Sequence, residues 1–257
     1  MPQRGAAVLK KYFRACMMSF TMFCAIPCPF HKWDEDSRPL MTLFLPLVGV
    51  WIGLIWVALA FVLRFLDLPN LVAAALLTAF PFVITGFMHF DGFMDVTDAV
   101  KSWRSLDERR RILKDPHAGA FSIIAAILLI MLQFAFFASM KSEADIRVLV
   151  FIPVISRAMA GLCVTVLRPI STSEYAGAYR KGVNKSHAVI FILILITGSA
   201  LGFVLLGKYG FVSLAVILGY LLALRRAFVS LDGMSGDVSG YALTFGELFG
   251  IAVYALI

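Results

Sequence analysis

The sequence predicts an all-α polytopic membrane bundle of about seven transmembrane helices, preceded by an N-terminal amphipathic or re-entrant segment. Three observations predict it. Of 257 residues, 61% are hydrophobic and only 15% charged, against about 25% charged in soluble domains. Apolar runs recur at about twenty residues, the length that crosses a bilayer as a helix. Most of the charges collect in connectors that would lie on one side. Lipid offers backbone amides no partner, so such runs must satisfy their hydrogen bonds internally as helices. Cys16, Cys24, Cys28 and Cys163 form no CxxC pair, which points to small buried hydrophobes rather than a disulfide framework or zinc site.

The first 39 residues carry Arg4, Lys10, Lys11 and Arg14 and then an uncharged run from Ala15 to Phe30. No small-x-small cleavage site follows, and Pro27 and Pro29 break the run, so it reads as an interfacial or re-entrant helix rather than a signal peptide. A polar connector spans His31 to Arg38. Membrane passes are predicted near 40–63, 68–88, 119–140, 148–167, 187–206, 209–224 and 238–257, with Pro46, Pro81 and Pro153 as kinks packed on neighbouring helices. The whole chain, 1–257, is expected to form one membrane domain, with 89–118 as a polar segment on its surface.

Seven passes place the N-terminus, the 31–38 connector and segments 89–118, 168–186 and 225–237 on one face. Of the lysines and arginines the other face keeps only Arg64, Lys141, Arg147 and Lys208, while Arg157 lies inside a pass. The positive-inside rule makes the first face cytoplasmic. Topology thus accounts for the net charge of +7, and no nucleic-acid partner is needed to explain it.

The segment from Thr85 to Phe121 holds Asp91, Asp95, Asp98, Asp107, Glu108 and Asp115 among basic residues in an otherwise apolar chain. Asp91, Asp95 and Asp98 stand at i, i+4 and i+7, which lines one helical face with carboxylates. That spacing destabilises a bare helix; a hard divalent cation turns the repulsion into ligation. The alternative is a solvated acidic face or a helix cap. The aspartate helix is expected to continue the second pass out of the membrane as far as Trp103. Ser105-Leu-Asp-Glu108 has the form of a capping box, giving Asp107 and Glu108 a structural role. Arg109, Arg110 and Arg111 are candidate phosphate ligands, although successive residues point different ways on a helix.

Lys114-Asp115-Pro116-His117 precedes the third pass. Asp115 can cap that helix or fold back to complete a four-aspartate cluster flanked by Lys114 and His117. His89, near Asp91, is an interfacial contact or a base. Arg157 is a charge inside an apolar run, a functional candidate unless it merely pairs with Glu247. Gly233-Met-Ser-Gly236-Asp237 opens the last helix, where glycines let amides approach phosphate, or Asp237 acts only as the N-cap.

These pieces together, His89-Phe-Asp91-Gly92-Phe-Met-Asp95-Val-Thr-Asp98, Lys114-Asp115, Ser156-Arg157, Gly233-x-x-Gly236-Asp237-x-x-Gly240 and Glu247, resemble the cobalamin synthase family, the adenosylcobinamide-GDP ribazoletransferases. Ile26-Pro27-Cys-Pro29 and Pro46-Leu-Val-Gly49 fit the same pattern, so the resemblance runs along almost the whole chain. The chain departs from it at Pro116-His117, where the family has Ser-Arg, and at Ala99, Ser122 and Thr244.

The resemblance implies a multi-pass protein of the bacterial inner membrane with its catalytic face in the cytoplasm, and a homo-oligomer is compatible with it. The implied reaction is attack by α-ribazole, or its 5′-phosphate, on the cobinamide-side phosphate of adenosylcobinamide-GDP, with release of GMP. Asp91, Asp95, Asp98 and Asp115 would hold Mg²⁺, and His89 or Asp98 would take the hydroxyl proton. Lys114, His117, Arg157, Gly233, Gly236 and Asp237 would hold phosphates, with the 168–186 loop gating access. Two other readings compete: a CDP-alcohol-type membrane phosphotransferase, whose DG-led motif this chain matches only in part, and a secondary transporter using Arg157 and Glu247 as an ion path.

Overall fold

The structure, a computed structural model, describes residues 2–30, 32–141, 143–170 and 186–257, with side chains from residue 7 onward. Ten α-helices make up the described chain: α1 (Pro2–Phe23), α2 (Leu45–Phe65), α3 (Asn70–Ile84), α4 (Met88–Lys101), α5 (Leu106–Ile112), α6 (Ala120–Ala138), α7 (Val148–Val166), α8 (Ser186–Leu206), α9 (Phe211–Leu231) and α10 (Gly236–Leu256). Among the described residues five helical segments are long and apolar enough to cross a membrane, or up to six if the bent pair α3 and α4 is one crossing. One of the five is the run Ser186–Leu231, which doubles back on itself. The expected seven is reached only if the bent pair is one pass and each arm of that run another.

Glycines set the closest helix approaches, because a backbone without a Cβ can touch another backbone directly. A Cβ on Gly49 would stand 2.5 Å from the Pro153 carbonyl oxygen, and one on Gly53 2.6 Å from the Val150 Cα, so α2 and α7 pack with no side chain between them. Gly161 of α7 receives the Phe191 ring and Gly198 of α8 faces Ile155, so these helices run antiparallel. The chain then turns at Gly207–Gly210, and α9 returns to meet α10, where Gly246 packs on Val216 and Gly250 on the Val216 and Ile152 side chains.

Opposite ends of the bundle are tied differently. At one end Arg64 donates to the Ala144 carbonyl (2.7 Å), Asn70 to that of Ala138 (2.8 Å), and Lys141 and Lys208 to that of Ile257. At the other, Arg109 donates to the Ser230 carbonyl and Arg110 to those of Leu231 and Asp232, so α5 caps the C-terminus of α9. Arg168 pairs with Asp232, and a short parallel bridge joins Pro169 to Met234. The three arginines, candidate phosphate ligands in the sequence, are therefore all engaged within the protein, Arg111 through Glu108 at 2.6 Å.

Several predicted boundaries move. The N-terminal helix lies earlier than the expected 15–30 run: it ends at Phe23, and Cys24–Ala25 then leaves it to bond the end of α3, Ala25 N–H to the Ile84 carbonyl at 2.8 Å. Pro46 stands in the first turn of α2, where its missing N–H costs nothing, and is no kink. Helix α4 does not continue the second pass, since the chain bends by 88° between α3 and α4. Gly86 and Phe87 adopt left-handed backbone (φ 59° and 63°), which ends α3 and redirects the chain. The sixth pass, predicted as 209–224, runs on to Leu231, carrying exposed Arg225 and Arg226 within the helix. Most of the 168–186 loop expected to gate access lies outside the described residues.

Candidate active site

Helix α4 runs antiparallel to the first turns of α10, and two glycines let their backbones meet. A Cβ on Gly92 would stand 2.9 Å from the Asp237 Cα, and one on Gly240 3.0 Å from the His89 carbonyl oxygen. Phe93 stacks on Tyr241 (centroids 5.9 Å apart) and packs on Phe245, securing the buried face of α4. The helical spacing therefore turns Asp91, Asp95 and Asp98 towards the polar end of the bundle, with Asp91 exposed and Asp95 half-buried.

These three carboxylates are not equivalent. Asp98 caps α6: its two oxygens accept from the amides of Gly119 (2.6 Å) and Ser122 (3.0 Å), while Gly119, whose Cβ would collide with that carboxylate, leaves it room. Asp91 and Asp95 accept no hydrogen bond from any described side chain or amide. The carboxylates acting on Asp95 are Asp91, Asp237 and Asp98. Asp237, rather than the expected Asp115, is thus the further acidic group on this face. Asp115 instead closes its own turn, accepting from the His117 amide (3.0 Å) with the His117 ring nitrogen Nδ1 at 2.8 Å, and those contacts hold its carboxyl below the usual carboxylate range. Lys114 and His117 are exposed on the same loop.

At the head of α10 the N-cap is Ser235, whose hydroxyl accepts from the Val238 amide at 3.1 Å; Asp237 sits inside the first turn. Gly233 has φ 154°, and a Cβ there would stand 2.7 Å from the Ile170 amide nitrogen, so this glycine serves the 169–234 bridge. Its amide donates to the Phe228 carbonyl, which leaves Gly236, exposed at the helix start, as the glycine facing outward. Deeper in the bundle Arg157, 1% exposed, forms an ion pair with Glu247 at 2.6 Å, and Ser156 donates to the same carboxylate at 2.9 Å. The pair that the sequence offered as the plain alternative is therefore present. The expected capping box at Ser105 is half formed: Ser105 accepts from the Glu108 amide, while the Glu108 carboxylate turns to Arg111.

Beside the α4–α10 junction lies a cavity of about 500 Å³. Its walls come from Met22 and Phe23 of α1, Leu45 of α2, Ala160 and Val164 of α7 and Leu243 of α10; His89, Arg157, Ser235 and Asp237 supply polar groups. Phe23 stacks on His89 with centroids 6.1 Å apart and planes 13° from parallel. The Nε2 of His89 and the Oγ1 of Thr42 are buried with no hydrogen-bond partner, and each residue borders the cavity. Sequence reasoning missed Phe23, Thr42 and Ser235. Ser235 had a signal, a serine three residues ahead of a helical apolar residue, whereas nothing local marks Phe23 or Thr42.

The donor set suits a hard cation. Two unengaged carboxylates one helical turn apart, with a third nearby, match the habit of Mg²⁺, which takes one or two carboxylates and completes its shell with water and substrate phosphate. Among the described residues no group of three His, Cys, Asp or Glu side chains is placed to hold a metal ion by itself.

The fold and site define the class, an integral membrane protein with unengaged carboxylates beside a small-molecule cavity. The comparisons with known proteins place it more narrowly. The family model described as cobalamin-5-phosphate synthase (CobS) matches residues 15–255, and the chain belongs to that family. It is 36% identical to an adenosylcobinamide-GDP ribazoletransferase of Clostridium perfringens (strain SM101 / Type A), covering 97% of this chain and 100% of the relative. It is 36% identical to one of Clostridium botulinum (strain Alaska E43 / Type E3) over 95% and 97% of the two chains, and 27% identical to one of Corynebacterium diphtheriae over 82% and 80%. No solved structure matches.

Proposed function

We propose that this protein is an adenosylcobinamide-GDP ribazoletransferase acting in the nucleotide-loop assembly step of cobalamin biosynthesis. A hydroxyl of α-ribazole, or of its 5′-phosphate, forms a new bond to the cobinamide-side phosphorus of adenosylcobinamide-GDP. The pyrophosphate P–O bond breaks, and GMP leaves with the electron pair. The observation that carries this reading is the α4–α10 junction, where Asp91 and Asp95 stand unengaged beside Asp237 and the cavity.

Mg²⁺ held by Asp91 and Asp95, with Asp237 alongside, would neutralise charge on the leaving pyrophosphate oxygens. His89, on the cavity wall, is the candidate proton acceptor. Its Nε2 is unpartnered, it borders the cavity, and its backbone carbonyl is fixed by Gly240 and Thr244 of α10. Asp98, already bonded to two amides, holds α6 in place against α4. Exposed Lys114 and His117 and the start of α10 at Gly236 are positioned to meet phosphate oxygens arriving from outside the bundle. Arg157, bound to Glu247, keeps its position at the cavity floor.

The same reading places the polar end of the bundle in the cytoplasm of a bacterial cell, where nucleotide substrates are found, with the helices in the inner membrane. The test is GMP release from adenosylcobinamide-GDP by purified protein in lipid. Release that requires α-ribazole, Mg²⁺ and Asp91 supports the proposal. A folded, lipid-embedded protein that releases no GMP refutes it.

A further inference from the structure

The cavity beside α4, about 500 Å³, falls inside the ~300–1,000 Å³ range of small-ligand sites. Its lining is mostly apolar, and most of its polar groups are already used. The Ser235 hydroxyl holds the Val238 amide, Thr165 donates to the Gly161 carbonyl, and Ser239 meets the Tyr220 hydroxyl. The polar group the wall leaves for a ligand is the Asp237 carboxylate, which accepts from the Ser235 hydroxyl at 3.4 Å, while the unpartnered Nε2 of His89 and Oγ1 of Thr42 have no exposed surface. One flank is aromatic, the Phe23–His89 stack.

We infer that this cavity receives the aromatic base of the ribazole nucleoside, laid against Phe23 and His89, with the ribose directed to Asp237 and the α4 carboxylates. This rests on the transferase reading above and says which of its two substrates enters the bundle.

The choice rests on a mostly apolar wall with an aromatic flank. A dimethylated benzimidazole joined to ribose has a single free ring nitrogen, an acceptor, and otherwise presents apolar edges and two aromatic faces. The aliphatic wall of Met22, Leu45, Val164 and Leu243 suits the methyl groups, and the Phe23–His89 flank suits the aromatic faces. Guanine, the other base in the reaction, brings an amide, an exocyclic amine and two further ring nitrogens. Asp237 can accept from two of these donors, and each polar atom left unmatched against the apolar wall weakens binding by on the order of tenfold. The position of the cavity agrees with this choice. His89 and Asp237 line it and also flank the Asp91 and Asp95 face, so a nucleoside inside it reaches the reacting phosphate while the corrinoid stays outside the bundle.

Val164, half-buried in the wall, is not part of the catalytic face, and Val164→Phe would fill the space. In lipid nanodiscs the KM for α-ribazole is expected to rise about tenfold or more, with the KM for adenosylcobinamide-GDP within about twofold of the parent value. Direct titration of α-ribazole, followed by its own benzimidazole fluorescence without corrinoid, should show the same loss of affinity. The purine nucleoside with the same sugar linkage should bind the parent protein at least about tenfold more weakly. If Val164→Phe is not monodisperse, Leu167→Phe, on the same wall, replaces it.

A rise in the corrinoid KM alone would assign the cavity to the guanine nucleotide and overturn the inference. Unchanged KM values for both substrates, or equal binding of the purine nucleoside, would overturn it as well. Absence of GMP release by the parent protein would instead defeat the transferase reading. The fluorescence titration, which needs no turnover, would then still decide the cavity: binding lost in Val164→Phe supports it, and no binding to the parent protein overturns it.

Discussion

The Cα of Gly92 packs against the Cα of Asp237, so closely that a Cβ on Gly92 would stand 2.9 Å away. This contact joins the aspartate helix to the start of the last helix and explains why a glycine follows Asp91. Only a bare backbone lets Asp91 and Asp95 share a face with Asp237.

Gly92→Ala should therefore force α4 and α10 apart. Overpacking of this kind costs about 1–3 kcal/mol, and both partners here are backbone. The expected outcome is a lower unfolding midpoint in detergent and a loss of GMP release exceeding the loss of folded protein.

Asp91→Asn and Asp95→Asn should behave unlike Asp98→Ala. The first two remove carboxylates that no described group engages, so stability should hold while the Mg²⁺ concentration needed for half-maximal GMP release rises about tenfold or more. Removing the Asp98 cap should cost about 0.5–2 kcal/mol. Thermal unfolding and Mg²⁺ titration of all three variants separate the two roles, and unchanged stability in Asp98→Ala would contradict its role as the α6 cap.

Glu247→Ala leaves the Arg157 guanidinium buried without its carboxylate. Breaking a buried pair by deleting one partner costs about 3–5 kcal/mol, and Ser156 loses its acceptor too. The variant should unfold well below the parent in a detergent melt. The double variant Arg157→Met, Glu247→Leu should recover part of that stability, because no charge is then stranded.

The Asp115 carboxyl itself should not titrate near neutrality. Its carboxyl lies below the usual carboxylate range because the His117 amide and ring donate to it. A lowered folded-state value means that the stabilisation is complete above the unfolded-state value and is lost as pH falls through the folded one. Activity profiles of the parent and Asp115→Asn should accordingly keep the same shape around neutral pH, differing in height only; a step in that region traceable to Asp115 would contradict this.

Much of the architecture was legible because lipid leaves the backbone few options. The predicted passes at 119–140, 148–167, 187–206 and 238–257 fall within two residues of α6, α7, α8 and α10. The helical spacing of Asp91, Asp95 and Asp98 was equally readable, since a period of 3.6 is a local property. The 88° bend before Met88 was not, because it depends on the left-handed turn at Gly86–Phe87 and on what α3 and α4 each pack against. Nor could charge alone show that Arg109 and Arg110 would be spent on the carbonyls at the end of α9.

By itself the sequence determined that the chain is a helical membrane bundle and which carboxylates line one helical face, because hydropathy and periodicity act along the chain. Tertiary structure decided how those carboxylates are used: Asp98 went to the amides of α6, Asp115 to its own turn, and Asp237 came from far along the chain to stand by Asp95. It also brought Phe23 and Thr42 to the cavity. A buried polar group takes whichever partner packing brings within reach, and that partner is set by helices distant in sequence.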